Sequence, residues 1–224
     1  MSRRLRYQVA VSLDGFIAGP GGEYDWIVQD PAIDFGAMFE QFDTAVMGRK
    51  TYDVMRSQQE QPAMPGVDVV VFSRSLPASE RAGFRITSDD PREVVASLKK
   101  ARGKDIWLFG GGELFRTLLD AGLVDTVELA VMPVMIGSGI PVLPPGTRTK
   151  LELADRKPLP SGIVVLAYSV PGGVGPAPRI GYVKSASRRG RPASRKTSRG
   201  RATSRGRTSS NKASSSTRPR KRRR

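Results

Sequence analysis

Apolar and polar positions alternate at the start of the chain. Leu5, Tyr7, Val9, Val11 and Leu13 fall on one face and Arg6, Gln8, Ala10 and Ser12 on the other, a period of two that predicts a β-strand. The pattern breaks at Asp14-Gly15 and again at the Pro20-Gly21-Gly22 loop. After Pro31 the period changes: Phe35, Met38, Phe39 and Phe42 recur at i, i+3, i+4 and i+7, which predicts an amphipathic helix with Asp34 at its start. Short apolar runs over 44–47, 67–72 and 84–87 predict three further strands. Asp90-Pro91-Arg92-Glu93 combines an N-cap, a proline at the first helical position and a glutamate at the third, so a helix follows with Val94, Val95 and Leu98 inward, stopping by Gly103. Asp125 to Met132 alternates again, Pro133 to Pro145 reads as an apolar Gly/Pro loop, and two last strands fit 150–156 and 163–170. Strand-helix alternation predicts a mostly parallel core, and the consecutive final strands predict an antiparallel pair at its side. The expectation is one α/β domain over 1–172, a mixed sheet with flanking helices and no internal repeats.

Two strand-to-helix turns carry candidate chemistry. Ile106, Trp107, Leu108 and Phe109 run straight into Gly110, Gly111 and Gly112, and Glu113 to Leu119 then places Leu114, Phe115, Leu118 and Leu119 at helical spacing. Residues without Cβ let backbone approach a ligand, and the free N–H groups of a helix N-terminus suit a phosphate or diphosphate. A tight structural corner with no ligand is the alternative reading of this stretch. The strand at 44–47 likewise enters Gly48-Arg49-Lys50-Thr51-Tyr52. Neither turn is a standard nucleotide motif. Phe115 stands where a Rossmann fingerprint starting at Gly110 needs its third glycine, and Asp43 stands where a Walker A motif needs its first.

Composition narrows the chemistry. The chain has 224 residues with no cysteine and no histidine, which removes disulfides, thiol catalysis, a Ser-His-Asp triad and the usual zinc ligands, so no metal is expected. Proton transfer must use a carboxylate, Tyr, Lys or water. Of 37 Lys and Arg, 18 lie from Gly173 onward, where there is no Asp or Glu, so the formal charge of +16 belongs to the tail and the body is nearly balanced. No run of 18 apolar residues exists and the N-terminus enters a strand rather than a signal-peptide core, so the reading is cytoplasmic with no membrane partner.

Taken in order, five stretches resemble the dihydrofolate reductase-like fold, and within it the reductase domain of the bifunctional riboflavin-biosynthesis deaminase/reductase and its stand-alone relatives. They are Ser12-Leu13-Asp14-Gly15-x-Ile17-Ala18, Met47-Gly48-Arg49-x-Thr51-Tyr52, Phe72-Ser73-Arg74, Phe109-Gly110-Gly111-Gly112 with Leu114, and Pro133-x-x-Ile136-Gly137-x-Gly139-x-Pro141. The resemblance covers roughly residues 4 to 170, without the zinc-dependent deaminase half. It implies NADPH as cofactor, with the diphosphate on Gly110, Gly111 and Gly112, the helix start at Glu113 and Leu114, and the turn from Gly48 to Thr51. Arg49, Ser73 and Arg74 would surround the adenosine 2′-phosphate, and Ala10 and Ile17 would line the nicotinamide. On the substrate side it implies Trp26 and Asp34, with Asp34 as the candidate catalytic acid, although an aspartate before a helix is more often its N-cap. The implied activity is hydride transfer to a small heterocyclic or sugar-phosphate substrate, in a homodimer. Ala130 stands where folate reductases carry a pterin-contacting hydroxyl, which argues against folate.

The tail, 173–224, is rich in Ser, Arg, Gly, Pro and Thr and is expected to be disordered. Its arginines recur as Arg189-Gly190-Arg191-Pro192, Arg199-Gly200-Arg201 and Arg205-Gly206-Arg207. An extended Arg-Gly-Arg suits a narrow minor groove, and phosphate binding by counterion release needs no sequence at all. Two functions therefore remain: an NADPH-dependent reductase, and a nucleoid-associated DNA-binding protein that uses a reductase-like body as scaffold.

Overall fold

The alternating N-terminal segment forms β1 (Leu5–Ser12), the strand around which the sheet is built. After it come β2 (Phe16–Ala18), α1 (Phe35–Phe39), β3 (Phe42–Gly48), α2 (Arg49–Ser57), β4 (Asp68–Phe72), β5 (Ser79–Arg81) and β6 (Phe84–Thr87). The second half holds α3 (Pro91–Lys100), β7 (Asp105–Gly110), α4 (Gly112–Asp120), β8 (Thr126–Met132), β9 (Ile140–Pro141), β10 (Glu152–Pro158) and β11 (Val164–Ser169). This computed structural model describes residues 2–57, 64, 66–81, 83–175, 179–181 and 183–184. One sheet runs in the order β10-β11-β8-β1-β7-β3-β4-β6-β5, and β2 and β9 form a separate antiparallel pair. Pairing is parallel from β8 through β1, β7, β3 and β4 to β6. It is antiparallel at both ends, where β11 meets β8 and β10, and β5 meets β6. The mixed, mostly parallel α/β sheet expected from the sequence is the one observed.

Each face of the sheet has its own core. On one, Leu5, Tyr7, Val46 and Leu108 pack against Val95 of α3 and Phe115 and Leu118 of α4, with the Tyr7 and Phe115 rings stacked 3.8 Å apart. On the other, Ala45, Met47, Val71 and Trp107 pack with Met38 of α1, and Trp107 stacks on Phe42 at 5.5 Å. Helix α1 is shorter than its pattern suggested. Phe42 belongs to β3 rather than to the helix, and Phe35 is 45% exposed.

The polar face of β1 is not a solvent face. Arg6, 1% exposed, donates through Nε and Nη2 to the two carboxylate oxygens of Glu128 on β8, both at 2.8 Å. Glu128, 2% exposed, also accepts from Thr126 Oγ1 at 2.9 Å and from Gln8 Nε2 at 3.0 Å. Burial opposes the Arg6 charge, but the hydrogen bonds and charge of Glu128, with Asp105 beside them, outweigh it and raise the guanidinium pKa. Such a pair is stable only when its remaining donors and acceptors are satisfied, which Gln41 and Asp105 do at Arg6 Nη1.

Packing continues past residue 172, where composition placed the start of the tail. Ile180 and Val183 are buried in the α1-side core, Lys184 N donates to Ala32 O at 2.7 Å, and Val183 bridges Ile33. Two apolar side chains in a polar stretch are enough to anchor it. The repeated arginines at 189–207 lie outside the described residues.

Candidate active site

In a parallel sheet every strand releases its chain at the same edge, so the turns into the helices gather there. Here that edge opens into a cleft of about 1740 Å³. The β3–α2 and β7–α4 turns meet in it. A Cβ built on Gly48 would stand 3.9 Å from Gly111 N, and one on Gly111 would stand 3.3 Å from Thr51 Oγ1. Gly112 has no room for a side chain: a Cβ there would lie 2.9 Å from Pro141 O and 3.0 Å from Pro144 Cδ, both in the loop that crosses the cleft. Gly110 adopts φ +149°, which favours glycine on conformational grounds.

Helix α4 starts without a side-chain cap, because its N-cap is Gly111. Its first intrahelical bond runs from Phe115 N to Gly111 O at 3.0 Å, so the N–H groups of Gly112, Glu113 and Leu114 are left for an external acceptor. Together with the start of α2, this is a cradle for a diphosphate. Lys50 Nζ bridges the two turns to Glu113 at 3.6 Å.

The next strands supply cations. After β4, the buried Ser73 hydroxyl accepts from Leu76 N at 3.0 Å and Ser75 N at 3.3 Å, which fixes the turn that projects Arg74. Arg49 pairs with Asp53 at 2.8 Å and donates to Ser75 Oγ. Arg92, at the start of α3, pairs with Asp90. Among the described cations lining the cleft, Arg74 alone has no carboxylate partner. Hydrogen bonds from the Arg92 side chain and then its backbone N–H hold the Asp90 carboxyl down at about 2.

Asp14 ties the near wall together. Ser12 Oγ donates to it at 2.6 Å, and Gly137 N and Ile136 N donate at 2.7 and 3.2 Å. These bonds, the serine's first, hold its carboxyl below the usual range. The carboxylate thus fastens the 133–145 loop over β2, where Ile17, Ile140 and Pro141 face the cleft.

The cleft brings together every residue expected at the cofactor: Ala10, Ile17, Gly48, Arg49, Thr51, Ser73, Arg74, and Gly110 through Leu114. It does not bring in the two expected at the substrate. Asp34 accepts from Ala37 N at 3.1 Å as the N-cap of α1 and is outside the cleft lining, so its carboxylate serves the helix. Trp26 is also outside the lining, its indole donating to Glu23 O at 3.2 Å. Sequence reading passed over Gln8, Trp107, Thr87 and Arg92, all of which line the cleft. Arg92 was findable, because the β6–α3 junction repeats the strand-to-helix logic of the other two turns.

Residues 3–165 match the model of the RibD C-terminal domain. The chain belongs to that family. Among curated proteins, it is 35% identical over 178 residues to Uncharacterized protein YyaP of Bacillus subtilis (strain 168), covering 74% of this chain and 94% of that one. It is 31% identical over 163 residues to YwjB of the same organism, covering 70% and 92%. Among solved structures, a Shewanella sp. PV-4 protein assigned to riboflavin biosynthesis superposes with a TM-score of 0.65 at 23% identity, over 76% of this chain and 99% of that one. The diaminohydroxyphosphoribosylaminopyrimidine deaminase/5-amino-6-(5-phosphoribosylamino)uracil reductase of Thermotoga maritima superposes at 0.59 with 15% identity, over 75% of this chain and 57% of that one. At these identities the structural likeness is one of fold. The protein is thus a reductase-like member of the RibD family, and among the described residues no helix is long and apolar enough to cross a membrane.

Proposed function

We propose that this protein is an NADPH-dependent reductase of a small heterocyclic substrate, similar in reaction to 5-amino-6-(5-phosphoribosylamino)uracil reductase. The observation that carries the reading is the meeting in one cleft of two glycine turns with an arginine that has no carboxylate partner among the described residues. Bound NADPH would supply the hydride. Gly48 to Thr51 and Gly110 to Leu114 would hold its diphosphate, Arg49, Ser73 and Arg74 its 2′-phosphate, and Ala10 and Ile17 would flank its nicotinamide. The fit is physical: the diphosphate meets helix N–H groups that lack internal acceptors, and the terminal phosphate meets a guanidinium with no competing carboxylate. What the chain contributes to the reaction is orientation and exclusion of water by the 133–145 loop. The proton is assigned to solvent, because Asp34 is committed to capping α1.

NADPH oxidation across a panel containing the riboflavin-pathway pyrimidine and dihydrofolate tests this reading. Turnover of a heterocycle with NADPH supports it, and no turnover together with no saturable NADPH binding below millimolar concentration refutes it. A separate role in nucleic-acid binding is proposed for 173–224 on its charge alone. A salt series of DNA binding with and without that segment decides it, and equal binding by the shortened chain removes it.

A further inference from the structure

The loop that crosses the cleft is fastened from two sides. On the β2 side, Asp14 accepts from Ile136 N and Gly137 N, and Val142 N donates to Gly15 O at 2.9 Å. From Val142 to Leu151 the chain belongs to no helix or strand. Its backbone there is bonded to a side chain instead. Arg116 of α4 donates through Nε and Nη2 to Pro144 O at 3.3 and 3.2 Å, and through Nη1 to Thr147 O at 3.0 Å. Nη1 also meets Asp120 at 2.8 Å, so the charge is paired within the helix. The side chain is 13% exposed, and a Cβ on Gly146 would stand 2.6 Å from its Nε, so the backbone passes directly over the guanidinium.

Arg116 lies four residues after Gly112, on the same face of α4 and one turn further along it. The loop runs along that face. Pro141 O and Pro144 Cδ fill the space where Gly112 would carry a side chain, and Pro144 O and Thr147 O rest on Arg116. Gly112, Pro141 and Pro144 line the cleft and Arg116 does not, so the guanidinium acts at one remove. A planar fork with five donors holds two carbonyls of an irregular segment in one arrangement, which a single donor cannot do. The segment held in this way is the wall beside the first N–H groups of α4.

Resting on the reductase reading above, we infer that Arg116 is a positioning residue for the dinucleotide. It presses residues 141–147 against the first turn of α4 and so keeps the diphosphate cradle formed before the ligand arrives, without touching the ligand. A preformed wall needs no ordering on binding, and its loss shows in the dissociation of any ligand that carries the diphosphate.

Two variants of the full chain test this, each titrated with NADPH and NADH by nucleotide fluorescence, with dissociation rates from stopped-flow displacement. Arg116→Ala removes the fork. Gly146→Ala keeps the arginine and its charge but puts a methyl group where the guanidinium lies. Gly146 is exposed and its φ is outside the left-handed region, so this variant folds even if Arg116→Ala does not. In each, both cofactors should bind about tenfold more weakly and dissociate faster, with the NADPH-to-NADH affinity ratio unchanged within about twofold. Combined, the two substitutions should cost little more than either alone, because both release the same segment. Unchanged affinity in Gly146→Ala overturns the inference, because any loss in Arg116→Ala would then belong to the charge. A loss confined to NADPH also overturns it, since the 2′-phosphate is placed at a different turn. Failure of the unmodified chain to bind either cofactor overturns the reductase reading beneath it.

Discussion

Arg74→Ala separates a cofactor site from a decorated surface. Arg74 is exposed at the end of a turn fixed by Ser73, and among the described residues it has no carboxylate partner. Removing it breaks no internal ion pair, so the stability change should stay within about 0.5 kcal/mol, the usual range for a surface substitution. Its contact with a 2′-phosphate would be a charge-assisted hydrogen bond, worth about 1.5–3 kcal/mol in general. Exposure and screening by salt favour the lower end, about 1.5–2 kcal/mol, which is a loss of roughly 10- to 30-fold in NADPH affinity. NADH lacks the 2′-phosphate, and its affinity should move by less than about twofold. The assay is titration of both cofactors, by nucleotide fluorescence, against the original and substituted chains at two ionic strengths. The NADPH defect should shrink as salt rises. An equal loss for NADPH and NADH, or no loss for either, would refute the placement of the 2′-phosphate at this turn.

Three other substitutions or conditions test separate parts of the account. Glu128→Gln removes the two-pronged counter-charge of the buried Arg6 guanidinium and leaves it Asp105 alone at 3.3 Å, which should lower unfolding free energy by about 3 kcal/mol in urea; a loss below about 1 kcal/mol would show the network relaxing around the change. Asp34→Ala should cost about 1 kcal/mol of stability as a lost N-cap while NADPH oxidation stays within a few-fold; a hundredfold fall in kcat would restore it as a catalytic acid. The third is a pH titration of α3. Asp90 has its folded pKa lowered to about 2, so its contribution is present above the ordinary value of 3.8 and is lost as pH falls towards 2. The Arg92 amide resonance, which reports the cap hydrogen bond, should titrate with a midpoint near 2, and a midpoint at 3.8 would contradict the cap's charge-assisted character.

Local signals were readable in the chain and distant partnerships were not. The period-two strand, the Asp90-Pro91 helix start and both glycine turns each depend on neighbours within a few residues, and each appears where the pattern put it. The burial of Arg6 on the polar face of β1 was not legible, because its partner Glu128 lies 122 residues away on β8. A separation of 120 residues likewise hid the bond from Gln8 to Glu128. Strands β2 and β9, of three and two residues, are too short to show a period, and they exist because Asp14 holds the two loops together. Asp34 and Trp26 show local roles that compete with a pocket role, and for Asp34 the N-cap was the commoner reading of its position. Their positions suggested a pocket, but both side chains bond to backbone within three residues. Ile180 and Val183 were hidden by the basic composition around them.

The central claim is that the cleft at the carboxyl edge of the sheet is an NADPH site. Direct titration of the full chain with NADPH, by calorimetry at moderate salt, tests it without knowledge of the substrate. The account predicts a saturable isotherm with one site per chain, in the micromolar range and at least tenfold tighter than for NADH. An isotherm that does not saturate below millimolar NADPH would contradict it.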